Sequence, residues 1–262
     1  MKLWTRVLCA ILALLHASWA YSAATVASAV GDVKVAAPGA APAALAKGAA
    51  VASGATVTTG PTGRAILRFD DGQIVAVHGD TTFRIDEYRF DAQKPEADKG
   101  VFSLLKGAIR ALTGAIGSRN PQTVAFRTPQ ATIGIRGTDF VVGSVNPTFA
   151  GPTVGGIVVN SQAVTSGFVQ VLATAGPAQA IAFSALPPLV QAWFTELIAL
   201  NLAVFAGSVA EGAGQVAAGL TAETVLPWAF ALIAAGLVLA SDSDDGGDQA
   251  ATSHHSTATH HP

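Results

Sequence analysis

The stretch TPQATIGIRGTDFVV, Thr128 to Val142, decides how the rest of the chain is read. Ala131, Ile133 and Ile135 alternate with Thr132 and Gly134, the period of a half-buried strand. Arg136, Gly137, Thr138 and Asp139 interrupt that run, and Phe140, Val141 and Val142 resume it. Two short strands meeting at a corner account for the order, with Gly137 at the corner because it lacks Cβ restriction. The five donors of Arg136 are expected to serve carbonyls left open at the corner, or to pair with Asp139 or Asp71, as a structural clasp. Contact with an anion or a partner is the alternative role. Arg136 is also the last basic residue: all 15 Lys and Arg lie at or before it.

The flanking sequence is of the same β type. Arg64, Arg68 and Asp70 alternate with Ala65, Leu67 and Phe69, although Ile66 falls on the wet side. Asp71-Gly72 reads as a turn before the apolar run Ile74 to Val77. Thr82, Arg84 and Asp86 then oppose Phe83 and Ile85, and at Glu87 the phase slips, with Tyr88 and Phe90 as the next apolar partners. A slip of one in a period of two marks a bulge or corner. Further strands are expected at Val101–Leu105, Thr123–Phe126, Ala131–Ile135, Asp139–Val145 and Gly156–Val159. Strands at this spacing form a sandwich, a barrel or a solenoid, and periodicity does not choose among them.

The two ends of the chain read differently. Lys2 and Arg6, the apolar run Val7–Leu15 and Ser18-Trp19-Ala20 have the layout of a secretory signal peptide cut after Ala20, or else after Ala24. An uncleaved anchor is the alternative. Cys9 is the single cysteine and lies inside that segment, so no disulfide, thiol nucleophile or cysteine metal site is expected in the mature protein. After Pro187-Pro188, Leu189–Phe205 is helical in composition, with Trp193, Leu197, Leu200 and Val204 on one stripe. Thr224–Ala240 carries no charge and is at the lower edge of length for a bilayer span; a buried helix is the other reading. Glu196 and Asn201 disfavour Leu189–Phe205 as a second, lipid-facing span paired with it. The tail after Ala240 is polar and acidic.

Composition limits the function classes. Half of the residues are hydrophobic and 12% are charged, so membrane contact or extensive burial is expected. The net charge of −2 gives no basis for nucleic-acid binding. His78 is the only histidine between the signal segment and the tail, and it is expected as a half-solvated residue at a strand end. Neither the G-x-x-x-x-G-K-(S/T) nor the dinucleotide glycine pattern occurs. The tail acids Asp242, Asp244, Asp245 and Asp248 lack the calcium-loop arrangement, since Ser253 stands where a bidentate Glu is required. The four tail histidines lack fixed geometry for a metal. No cofactor, metal or catalytic residue is expected.

Four segments together resemble the FecR domain family. Phe69, Asp70, Asp71 and Gly72 match an apolar strand leading into DG, and Phe83–Tyr88 match an extended FRI element. Leu104, Gly107 and Arg110 match L-x-x-G-x-x-R, and Thr128–Phe140 match TPxATIGIRGT(D/E)F. The resemblance covers about 54–145 and implies a twisted, solenoid-like periplasmic sensor module. It further implies relay from an outer-membrane transporter to a cytoplasmic sigma factor, which needs a cytoplasmic region and a membrane helix before the domain. Only Met1–Ala20 precede the expected cleavage site, so a sensing module is expected here without the output module.

The resulting expectation is a mainly β chain: signal peptide 1–20, an all-β region 25–180 with a FecR-like core at about 54–145, an apolar helical region 187–240 with a candidate transmembrane segment at 224–240, and a disordered tail 241–262. The motif residues expected to build structure or contact a partner are Asp71, Gly72, Gly107, Arg110, Thr128, Pro129, Gly134, Arg136, Gly137, Thr138 and Asp139. An exported envelope protein, non-enzymatic and bound to a protein or cell-wall partner, is the leading functional expectation, with membrane association through the C-terminal apolar segment. A signalling component working with a separate inner-membrane protein is the first alternative, and a glycan-acting enzyme the second.

Overall fold

The computed structural model describes residues 22–137 and 139–205. The expected signal peptide, the apolar segment 224–240, the tail and Thr138 lie outside the described residues. Strands make up 48% of the described residues, so the fold is mainly β. Seventeen strands run in chain order as β1 Ser22–Val30, β2 Val33–Ala36, β3 Ala43–Ala44, β4 Ala50–Ala52, β5 Thr56–Thr59, β6 Arg64–Phe69, β7 Ile74–Val77, β8 Thr82–Arg89, β9 Lys99–Leu112, β10 Val124–Arg127, β11 Thr132–Ile135, β12 Asp139–Ser144, β13 Thr148–Val154, β14 Ile157–Val159, β15 Gln162–Val164, β16 Phe168–Val171 and β17 Gln179–Ile181. Among the described residues two α-helices follow β9 and β17: α1 Ala115–Arg119 and α2 Pro188–Ala199.

The strands form two layers that share β9. Sheet 1 runs β4-β1-β6-β7-β9-β12-β13-β16-β17, with every pair antiparallel. Sheet 2 runs β3-β2-β5-β8-β9-β10-β11-β14-β15, antiparallel except for β9 with β10. The first half of β9 pairs in sheet 2 up to Lys106 and the second half in sheet 1 from Gly107 onward. Gly107 has φ +92, and a Cβ there would lie 2.6 Å from Thr81 Cα, so only glycine fits the crossing. The side-chain phase changes at that point: Phe102 and Leu104 face the core before it, Ile109 and Ala111 after it. A second register shift falls between Ile85 and Glu87, the position at which the alternation in the sequence slips.

The core between the sheets is built on a run of aromatics. Phe102 stacks on Phe126 at 4.7 Å and on Phe83 at 5.9 Å, and Phe69 meets its edge at 5.2 Å. Phe126 in turn meets the edge of Phe140 at 5.1 Å, joining sheet 2 to sheet 1. Each such pair adds about 0.5–1.5 kcal/mol beyond its area burial.

A second apolar cluster lies on the other face of sheet 1. Ile66, Ile74, Ala76, Ala108, Val141 and Phe149 pack there against Leu186, Val190, Trp193, Phe194, Leu197 and Leu202. This explains why Ile66 breaks the alternation of β6: both faces of sheet 1 are covered, so both accept apolar side chains. Pro187 caps α2 and Pro188 is its first residue, where a missing N–H costs nothing. The helix stops at Ala199 because Leu200 is extended. The expected helix over Leu189–Phe205 is therefore too long: Leu200 lies beyond its end, and Val204 is 65% exposed. No helix among the described residues is long and apolar enough to cross a membrane. Val190, Trp193, Phe194, Leu197 and Leu202 instead make the Leu189–Phe205 segment an amphipathic cover for sheet 1, and the reading that pairs it with Thr224–Ala240 involves a segment outside the described residues.

Candidate functional site

The motif residues separate into three structural clusters and one open groove. In the first cluster Arg110, on β9, pairs with Asp139, the first residue of β12, through both carboxylate oxygens. Arg110 Nη1 donates to Leu197 O at 3.0 Å, Ile198 O at 2.9 Å and Leu200 O at 2.7 Å. These carbonyls lie at and just past the C-terminus of α2, where a cation meets the negative end of the helix dipole, and Leu197 O and Leu200 O also accept from Leu200 N and Leu202 N. The helix has no basic residue of its own in its last turn, as expected for a chain without Lys or Arg beyond Arg136. Arg110 supplies the charge from a distant strand.

The clasp expected of Arg136 thus belongs to Arg110. The Arg136 side chain is exposed and makes no hydrogen bond or ion pair among the described residues. Asp139 is taken by Arg110, and Asp71 serves a different element. The reason is parity: β11 alternates Ile133 and Ile135 into the core, and the corner begins at Arg136 with its side chain outward. Gly137 sits where backbones nearly touch, since an added Cβ would lie 2.6 Å from Gly155 Cα and would collide with Gly156 N. Its carbonyl accepts from Thr113 Oγ1 at 3.0 Å.

The second cluster surrounds Asp71, which is 5% exposed. Its Oδ1 accepts from Gln73 N at 3.1 Å and Tyr88 OH at 3.0 Å, and its Oδ2 from Ile116 N at 3.2 Å. Ala115 N donates to Asp71 O, so this one residue meets the first two free N–H groups of α1. Gly72, at φ +83, closes the β6–β7 loop in the left-handed conformation the turn needs. Burial pushes the Asp71 carboxyl above its usual range, and the bonds from Gln73, Ile116 and Tyr88 pull it partly back. Burial and the neighbouring Asp71 raise the Tyr88 phenol.

Thr128 and Pro129 form the third cluster, the β10–β11 turn. Thr128 Oγ1 accepts from Ala131 N at 2.9 Å and lies 2.7 Å from Thr148 Oγ1 on β13. The turn in sheet 2 is thereby tied to a strand of sheet 1. Pro129 O lies 3.4 Å from Thr174 Oγ1.

Sequence reasoning missed a fourth group. His78 is 5% exposed rather than half-solvated, and its Nε2 lies 2.9 Å from Glu196 Oε2 on α2. Arg64 donates to the same carboxylate at 2.6 and 3.0 Å. Hydrogen bonds from Arg64, and then His78, lower the Glu196 carboxyl to about 2 against the opposing effect of burial. The signal was present in the cost of Glu196 as a lipid-facing residue, but its partners lie more than a hundred positions away. Among the described residues no cluster of His, Cys, Asp or Glu is placed to hold a metal ion.

Gly134 and Arg136 remain, and both line a groove of about 740 Å³ on the outer face of sheet 2. Gly134 stands in register with Ala125 on one side and Val158 on the other. Asn160 braces the groove's far end, with Oδ1 accepting from Thr132 N at 2.9 Å and Nδ2 donating to Gly176 O at 2.7 Å.

Among the described residues the arrangement is a two-sheet β domain with one outer face closed by a helix and the other uncovered. Residues 55–156 match the family model described as FecR protein, and this segment is a FecR domain. A comparison with curated proteins gives no match. Two crystal structures of an anti-sigma-factor candidate from Parabacteroides distasonis are similar at 15% and 14% identity. Each alignment has a TM-score of 0.37 and covers 48% of this chain and 59% of the other. The similarity therefore spans less than two thirds of those chains.

Proposed function

We propose that the chain is an exported, non-enzymatic regulator that recognises a protein partner of the cell envelope through its FecR domain. The single observation that carries this reading is the FecR match over 55–156, whose family is one of signalling modules. Two further features support it. The polar motif residues Asp71, Arg110, Thr128 and Asp139 are engaged in holding the domain together, which leaves the exposed groove around Gly134 and Arg136 for contact. The signal-like start Met1–Ala20 and the apolar segment Thr224–Ala240 favour export and membrane association.

Regulation of a sigma factor, through a separate inner-membrane protein, is the finer form of the same reading. The test is crosslinking of the tagged full chain in native envelopes, followed by purification and mass spectrometry. A reproducible protein partner is expected, and an inner-membrane sigma regulator among the products selects the finer form. Recovery of no partner, together with turnover of envelope glycans by the purified chain, contradicts the proposal.

A further inference from the structure

The groove on sheet 2 has the properties of a built recognition surface. Its floor is the in-register row Ala125, Gly134 and Val158, with no side chain larger than valine. Gly134 is not there to avoid a clash, because an added Cβ would meet only Val158, at 3.7 and 3.9 Å, which is ordinary contact. Its missing side chain opens the floor instead. One rim holds Asn160, Ser161 and Ala175 at φ 45, 72 and 54, left-handed conformations that cost energy for non-glycine residues and gather at ligand sites. At the other end stands Arg136, the one charged residue among those lining the groove.

We propose that this groove docks an extended, acidic segment of the partner protein, with one Asp or Glu carboxylate seated on Arg136. This rests on the partner-binding reading above and specifies where and how the partner binds. Charge complementarity selects the acid: an exposed guanidinium with no carboxylate among the lining residues presents its donor fork to the incoming group. Length selects an extended chain, since Thr132 to Arg136 spans about 13 Å at about 3.3 Å per residue, the reach of four extended residues. Addition of a strand at an edge is disfavoured, because the edge strands β3 and β15 of sheet 2 have only 2 and 3 residues. The open face is the surface left for recognition.

The test is selection of a random heptapeptide display library on the purified full chain, with Gly134→Val and Arg136→Gln variants as comparisons. Thermal unfolding of each variant serves as the folding control, since a Cβ at Gly134 meets only Val158, at ordinary contact distance. Enrichment of peptides with an acidic residue is expected, with binding about tenfold weaker to Arg136→Gln, a change equal to one charge-assisted hydrogen bond. Gly134→Val should abolish binding while its melting temperature stays close to that of the native protein. No enrichment, or enriched peptides indifferent to both Arg136→Gln and Gly134→Val, overturns the proposal. Inorganic phosphate competing at concentrations where acidic peptides do not also overturns it, in favour of a small-anion site. If a partner crosslinks in envelopes but is indifferent to these substitutions, partner recognition stands and the groove assignment falls.

Discussion

The two sheets share one strand and one core, yet their outer faces are opposites. Over sheet 1, Ile74, Ala76, Val141 and Phe149 are sealed under α2. Over sheet 2, the positions in the same orientation are Ala125, Gly134 and Val158 beside Arg127 and Thr132, and no element covers them among the described residues. The difference shows what each polar motif residue does: Arg110 and Asp139 fasten the cover of sheet 1, whereas Arg136, a few residues away in sequence, points to the open side.

The junction between the faces is the most sensitive point. Gly107→Val places a branched side chain at φ +92 against Thr81 and should cost about 4 kcal/mol in urea unfolding, the sum of strain and overpacking. A loss under about 1 kcal/mol would mean that β9 does not cross between sheets there.

Removing the cover's fastenings comes next. Phe194→Ala empties a fully buried site between α2 and sheet 1 and should cost about 3–5 kcal/mol. Arg110→Ala leaves the buried Asp139 carboxylate without its ion-pair partner and removes the cation from the end of α2, with a similar expected loss of about 3–5 kcal/mol. Proteolysis of Arg110→Ala should begin in α2 and leave the two sheets intact. Simultaneous digestion of all parts would contradict a separable cover.

How much of this was legible in the sequence depended on distance along the chain. Strands β6 and β7, their Asp71-Gly72 turn and the slip at Glu87 follow from local alternation, and the structure has each of them. The length of β9 was not legible, because Gly107 resets its phase and only Val101–Leu105 keeps a single period. Strands β15 to β17 are short and rich in Gln, Ala and Val, too brief for alternation to register. Among the site residues, the motif was visible but its division of labour was not. Arg110 and Arg136 look equivalent on paper, and only pairing across β9 and β12 decides which one meets Asp139.

A smaller effect appears with pH. The Glu196 carboxyl is lowered from 4.5 to about 2 by Arg64 and His78, so its contribution is complete above pH 4.5 and is lost as the pH falls toward 2. Asp71, raised by burial, has the opposite sign. Comparing the native protein with Glu196→Gln cancels Asp71, and the stability difference between them should shrink only between pH 4.5 and 2. A difference that is flat across that window would remove Glu196 from the fastening. The smallest effect is expected at Arg136→Ala, within about 0.5 kcal/mol of the native stability, because the side chain is exposed and makes no bond among the described residues.

The opposition of the two faces can be measured directly by thiol labelling of single cysteines in a Cys9→Ser background. Val158→Cys places the probe on the groove floor, and Val141→Cys places it under α2 at a position that is 0% exposed. Maleimide should modify Val158→Cys in the folded protein while Val141→Cys reacts only on unfolding, and the adduct at Val158 should block capture of the crosslinked partner. Protection of Val158→Cys, or ready labelling of Val141→Cys in the native state, would contradict a domain with one closed face and one open.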